Sequence, residues 1–289
     1  MKYLSDFNRY EYLVSVINQI LHRNNINESI TFSDITITNT TVSDLVKKDS
    51  KLSDAIINNI WPSIPSASVY HYTSRESAEN ILSSGFFRLH NIEKRYNEGE
   101  ILRFCQTHQL DGYLESEENG KPRYQNIIMP NTFYASFTDT NISQQEEEYF
   151  WSTFASCDGV RLRFEIYSNS QDFRKIHYEK IAGHPLAVIN QLKEKILNDF
   201  GLIFTLKGIS RVCSFYLPKE YEIEKEFRLL YRYWQGKELK IKGINSSSFI
   251  EIPLNKENES GYLLKITEVQ ARTEINMPSN YVFTRRNNK

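Results

Sequence analysis

The segment "KEYEIEKEFRLLYRY", Lys219 to Tyr233, sets three glutamates two residues apart ahead of an arginine: Glu222, Glu224, Glu226 and Arg228. As a strand, the period of two puts all four on one face and Tyr221, Ile223, Phe227 and Leu229 on the other. Like charges along one face repel unless a cation or a ligand neutralises them. One carboxylate, most simply Glu226, then pairs with Arg228 or another base, and a second is left for chemistry. Such a group can stabilise positive charge developing on a sugar ring. As a helix, the same stretch is a solvated charged face without chemical meaning.

Two other stretches offer groups of this kind. In "SVYHYTS" a single His71 lies between Tyr70 and Tyr72; a lone histidine in such a run is more often a hydrogen-bonded core or rim residue than a ligand contact. In "NTFYASFTD" the period of two sets Tyr134, Ser136 and Thr138 on one face and Phe133, Ala135 and Phe137 on the other. One face could offer a ring and hydroxyls to a ligand, and ordinary strand amphipathicity would look the same.

The elements that must position these residues are strands interleaved with helices. "SVYHYT" reads as a strand; Ser74 can cap a helix with Ala78, Ile81 and Leu82 on one face, stopped by Gly85. A strand is expected over Thr132 to Phe137. "GVRLRFEIY" alternates Val160, Leu162, Phe164 and Ile166 against Arg161, Arg163 and Glu165, "KEFRLLYRYW" and "SSFIEIPL" alternate likewise, and "LAVINQLKEKILNDF" is an amphipathic helix. Ahead of them, residues 1–65 read as a mostly helical extension. Leu13, Ile17, Ile20 and Leu21 form one helical stripe, and Leu45, Leu52, Ile56, Ile57 and Ile60 form another behind a Ser43 cap, with a β-branched strand or extended loop between. "WPSIPSAS" is the connector. The expected organisation is this extension, a main α+β domain over 66–279 with short antiparallel strands, and a polar tail over 280–289.

Composition narrows the classes. The 289 residues carry 35 Lys plus Arg against 36 Asp plus Glu, a balance that argues against a generally basic nucleic-acid coat. The aromatic share is high, with 18 Tyr and 17 Phe, which suits a β-rich core and stacking surfaces. Cys105, Cys157 and Cys213 are far apart and in no metal-like spacing, as expected of reduced thiols in a cytoplasmic protein. No run of 18 apolar residues and no secretory leader pattern are present, so no membrane association is expected. The phosphate loop, the dinucleotide glycine fingerprint, the zinc-protease motif, paired C-x-x-C and the hydrolase elbow are all missing.

The order of the pieces is distinctive. A strand with H-Y-T, a helix ending in Gly, an aromatic and Ser/Thr strand, then E-x-E together resemble the ADP-ribosyltransferase fold. That resemblance implies split antiparallel β-sheets with flanking helices and NAD as co-substrate. It implies that His71 holds a ribose hydroxyl, that the main chain of Tyr72 grips the nicotinamide amide, and that Thr73 supports them. It further implies that Tyr134, Ser136 and Thr138 line the nicotinamide side, with Tyr134 stacking on the ring. Glu226 would steady the oxocarbenium and the 2′-hydroxyl, and Glu224 would orient the incoming nucleophile. No metal is implied. Tyr72 stands where the family has glycine, and "YASFT" where it has S-T-S. Most of residues 69–270 are also similar to a bacterial family of uncharacterised proteins, through "FYASFTD", the Trp151-to-Gly159 spacing and the E-x-E-x-R element. Together these imply a mono-ADP-ribosyltransferase acting as a toxin or anti-phage effector on a macromolecule, RNA or DNA favoured over protein, with an antitoxin or chaperone partner. Arg161, Arg163, Arg174, Lys175, Arg228, Arg232, Lys237, Lys240, Lys242, Arg285 and Arg286 could line a groove for a single strand. The alternatives are a magnesium-dependent nuclease built on Glu222, Glu224 and Lys225, and a non-catalytic nucleotide-binding sensor or adaptor.

Overall fold

The computed structural model describes residues 6–45, 50–110, 117–118, 120–155, 158–233 and 239–286; Lys237, Cys157 and the last residues of the expected tail lie outside them. Helix α1 (Asp6–Arg23) is followed by β1 (Ile35–Ile37), β2 (Thr41–Asp44) and α2 (Lys51–Ile60). Next come β3 (Ser66–Thr73), α3 (Arg75–Ser84), β4 (Phe86–Asn91), α4 (Glu93–Asn97) and α5 (Glu100–His108). The two-residue strands β5 (Glu117–Glu118) and β6 (Lys121–Pro122) precede β7 (Thr132–Asp139), α6 (Gln144–Phe150) and β8 (Val160–Ser168). Then follow β9 (Phe173–Lys175), β10 (His177–Tyr178), α7 (Ala187–Phe200), β11 (Ile203–Thr205), α8 (Ile209–Cys213) and β12 (Tyr216–Leu217). The chain continues through β13 (Glu226–Arg232), β14 (Phe249–Pro253), β15 (Tyr262–Ala271) and β16 (Phe283–Arg285), giving a mixed α+β protein.

Two compact units emerge. Unit 1 holds Met1–Pro62, Arg95–Ile128 and His177–Lys219; unit 2 holds Ser63–Lys94, Met129–Ile176 and Glu220–Lys289. The sequence puts its boundary near Ser66, and the first unit ends its first segment at Pro62 but takes in two later segments as well. The reason is visible in β2: Val42 is fully buried, and the strand pairs antiparallel with β1 and parallel with β11, some 160 residues further along the chain. Ser43 belongs to this strand and caps nothing; α2 starts later, behind Ser50. The buried Asp44 accepts hydrogen bonds from the Lys207 and Gly208 amides and the Ser53 hydroxyl, tying β2 to the entry of α8. Helix α7 buries Val188, Ile189, Leu192, Ile196 and Phe200 on one stripe and stops at Gly201, whose φ of 66° a side chain would resist.

Unit 2 is organised by one sheet of order β14-β4-β7-β3-β8-β15-β16, with β13 and β9 extending from the other edge of β7. Alternation builds it: Val160, Leu162, Phe164 and Ile166 of β8 are all fully buried and meet Val69, Phe87, Leu89, Phe133, Phe137, Leu229 and Leu264 in one core. Each such side chain contributes about 1.5–3 kcal/mol by leaving water. The sheet curls enough for the residues just after its end strand β14 to meet β15, with the Asn255 amide donating to the Leu264 carbonyl at 2.8 Å. Helix α3 forms as its sequence predicts, with the Ser74 hydroxyl accepting from the Ser77 amide and Gly85 in the left-handed region at φ 71°.

Candidate functional site

One edge of β7 pairs with β13 along its whole length, from Thr132↔Arg232 to Thr138↔Glu226. The other edge is divided. Strand β4 takes Phe133 and Tyr134, and β3 takes Thr138 and Asp139, through Tyr70 and Val69. Between them the sheet forks. Ser136 has a strand partner on the β13 side only, and His71, Tyr72 and Thr73 have theirs on the β8 side only.

His71 spans the fork. Its Nδ1 lies 3.2 Å from the Ser136 carbonyl oxygen, and since a carbonyl only accepts, Nδ1–H is the donor. The ring packs 5.2 Å from Phe87, 5.7 Å from Phe137 and 6.4 Å from Phe164, centroid to centroid. Burial pulls its pKa down to about 4 against the opposing backbone bond, with the charge of His90 adding to the fall. The imidazole is therefore neutral at pH 7 and faces the side of β7 that carries Phe137. The Ser136 and Glu226 side chains occupy the opposite face.

That opposite face brings together much of what the sequence singles out. Tyr134, Ser136 and Thr138 of β7 lie beside Leu230, Arg228 and Glu226 of β13, and Arg174 of β9 lies beside Arg228. Arg228 and Arg174 are fully buried and Glu226 is 3% exposed. Arg228 grips both carboxylate oxygens of Glu226, Nε to Oε1 at 2.8 Å and Nη2 to Oε2 at 3.0 Å, and the Ser136 hydroxyl also donates to Oε1. The Arg228 guanidinium lies 5.5 Å from the Tyr134 ring centroid. A two-pronged, charge-assisted contact of this kind fixes a carboxylate in one orientation. Tyr72 shares this face, but its ring is stacked on Phe150 at 5.4 Å and set edge-on to Trp151. Burial pushes its phenol well above the usual range. Thr73 ends β3, opposite Val160.

Glu222 and Glu224 do not join Glu226 on the strand. Residues Lys219–Glu224 form a 3-10 helix, and Lys225, at a left-handed φ of 42°, turns the chain into β13. The turn is held because the Lys225 ammonium bonds Glu146 at 2.7 Å and the Lys225 carbonyl accepts from the Asp139 amide. Of the two readings of the acidic run, each holds for part of it: solvated turn up to Glu224, strand from Glu226.

The basic residues are largely matched by acids. Arg161 pairs with Glu147 (2.7 Å), Lys175 with Asp139 (2.9 Å), Arg232 with Asp172 (3.7 Å), Lys242 with Glu251 (2.5 Å) and Arg286 with Glu148 (2.5 Å). Arg163 donates to the Ser68 hydroxyl, and Arg285 to the Arg272 carbonyl. Lys240 is exposed. Sequence reading missed the partnership of Arg161 with Tyr70, 4.0 Å from guanidinium to ring centroid; the alternation of "VRLRF" was the available signal. No family model matches the chain, and neither does any curated protein or solved structure. Among the described residues no group of three or more His, Cys, Asp or Glu could hold a metal ion, and no helix is long and apolar enough to cross a membrane.

Proposed function

We propose that the chain is a mono-ADP-ribosyltransferase that uses NAD to modify a macromolecular acceptor, as a bacterial toxin or anti-phage effector. The supporting observation is the fork: the strands carrying H-Y-T, the Tyr/Ser/Thr row and Glu226 are consecutive neighbours, and β3 leaves β7 after Tyr70. Where β3 departs, the main chain of Tyr72 has no strand partner on that side, and a carboxamide could add there as a strand would. In this reading His71 commits Nδ1 to Ser136 and, lying on the face of β7 opposite Glu226, has to reach a ribose hydroxyl with Nε2 through the gap of the fork, with Thr73 in support. Tyr134, Ser136 and Thr138 line the nicotinamide side. The C1′–N bond breaks with its electron pair leaving on nicotinamide. Glu226, held by Arg228 and Ser136, steadies the oxocarbenium-like ribose and its 2′-hydroxyl. The acceptor nucleophile, oriented by Glu224 on the turn before the strand, captures C1′ and gives up its proton to solvent water.

The test is incubation with NAD labelled in its adenylate half, together with a cell lysate, reading nicotinamide release and label in RNA, DNA and protein. Glu226→Gln, checked for folding by its melting curve, is expected to lower nicotinamide release by about 10² to 10³. Equal rates in the variant and the parent would remove Glu226 from the mechanism. A second reading, a non-catalytic nucleotide sensor, is favoured by the near-complete burial of Glu226 behind Arg228. NAD binding without nicotinamide release would select it, and magnesium-dependent nucleic-acid cleavage without NAD would select the nuclease.

A further inference from the structure

Unit 1 contains a feature that the proposed transfer reaction does not use. Cys105, on α5, and Cys213, the last residue of α8, place their sulfurs 3.6 Å apart, and both are buried. That is van der Waals contact, and a disulfide needs the sulfurs to close to about 2.05 Å. The pairing is also informative about the chain. Cys105 belongs to the second segment of unit 1 and Cys213 to the third, so a bond between them would join the two segments that enter unit 1 from later in the sequence. It would close a covalent loop containing β7, α6, β8 and β9.

We propose that Cys105 and Cys213 are a dithiol that a hydroperoxide converts to an intramolecular disulfide, stapling α5 to α8. In the first step one thiol, as thiolate, attacks the peroxide: its sulfur is oxidised to a sulfenic acid, the O–O bond breaks, and an alcohol or water leaves. In the second step the neighbouring thiol attacks the sulfenic sulfur, the S–S bond forms, and water departs with the thiol's proton. The net change is two thiols and one hydroperoxide giving one disulfide, one alcohol and one water. Attack by Cys213 is slow, because burial pushes its thiol up and makes its thiolate scarce, and both sulfurs are buried away from the oxidant. The second step is fast, since the resolving sulfur is already in contact. The staple therefore forms under sustained peroxide and closes before a second oxidant molecule can carry the sulfenic acid further.

The full chain, exposed to hydrogen peroxide, quenched, unfolded and treated with a maleimide, tests this by non-reducing peptide mapping. The expected result is one cross-linked pair of peptides holding Cys105 and Cys213, lighter by two hydrogens, maleimide on Cys157 alone, and full reversal by dithiothreitol. A melting temperature higher in the oxidised than in the reduced protein is expected with it. Cys105→Ser should lose the cross-link, and because the mapping of the unsubstituted protein is decisive, the proposal does not depend on that variant's folding. Three labelled thiols after a peroxide dose that oxidises free glutathione would overturn it. So would a cross-link through Cys157, or sulfinic acid at Cys105 or Cys213 with no linked peptide.

Discussion

Arg228 and Glu226 are two residues apart on β13, and their side chains meet because the period of two puts them on one face. Both are buried, so each depends on the other to offset lost hydration, and the pair is tied to β7 by the Ser136 hydroxyl. Removing one partner of such a pair leaves a charge with too few ligands, at a cost of about 3–5 kcal/mol. Arg228→Ala is therefore expected to lower stability by that amount in urea unfolding, well beyond what its lost methylenes explain. Arg228→Lys keeps the charge but not the fork of donors, and should recover part of the stability. In the transferase reading it should also leave nicotinamide release depressed with NAD binding little changed, because the carboxylate would no longer be held in one orientation. Equal stability of the alanine variant and the parent would show that Glu226 is satisfied without Arg228.

At the scale of elements, the spacing from Trp151 to Gly159 has a physical basis. A methyl group added at Gly159 would overlap the main-chain carbonyl of Ala155, so only a hydrogen fits where the chain folds back into β8. Gly159→Ala is expected to cost about 1–3 kcal/mol, as overpacking against rigid backbone does, and to disturb the Trp151 and Phe150 contacts that hold Tyr72. Thermal melts and near-ultraviolet circular dichroism would report both; an unchanged melt would mean the turn has room to relax. The elements that could be read from sequence are those fixed locally. Ser74 and Gly85 bracket α3 by bonds within a few residues, and β8 announces itself by alternation. What could not be read depends on distant partners or on backbone that residue type conceals. Nothing in Thr41–Asp44 points to β11, and a lysine at φ 42° gives no warning that the acidic run breaks at Lys225. The alternation did put Tyr134, Ser136, Thr138, Glu226 and Arg228 on shared faces. The face His71 takes relative to Glu226 follows from the Tyr70↔Thr138↔Glu226 register, which only the folded sheet supplies.

For the molecule as a whole, each unit carries a histidine kept neutral by its surroundings, and this sets the acid side of its stability. In unit 1 the His108 Nδ1–H donates to the Phe104 carbonyl at 2.8 Å and Nε2 accepts from the Leu186 amide at 2.9 Å. Burial draws its pKa to about 4, as it does for His71 in unit 2. An unfolded chain binds a proton at each near pH 6.5, while the fold declines it until about pH 4. Between those values the unfolded state holds more protons, so stability rises with pH across the window and is lost as pH falls through it. The slope is about 1.4 kcal/mol per pH unit for each histidine while that difference lasts. The carboxylates act lower. Glu146, drawn to about 2 by Lys225 and the Ser143 amide, stabilises the fold above its unfolded value, and that contribution disappears only in stronger acid. Melting temperature should thus be level from pH 8 to 7, fall between pH 6.5 and 4, and fall again below. His108→Gln should flatten the first fall by its share while leaving the second. A melting temperature that stays constant from pH 7 to 4.5 would show that neither imidazole is sealed from protons in the folded protein.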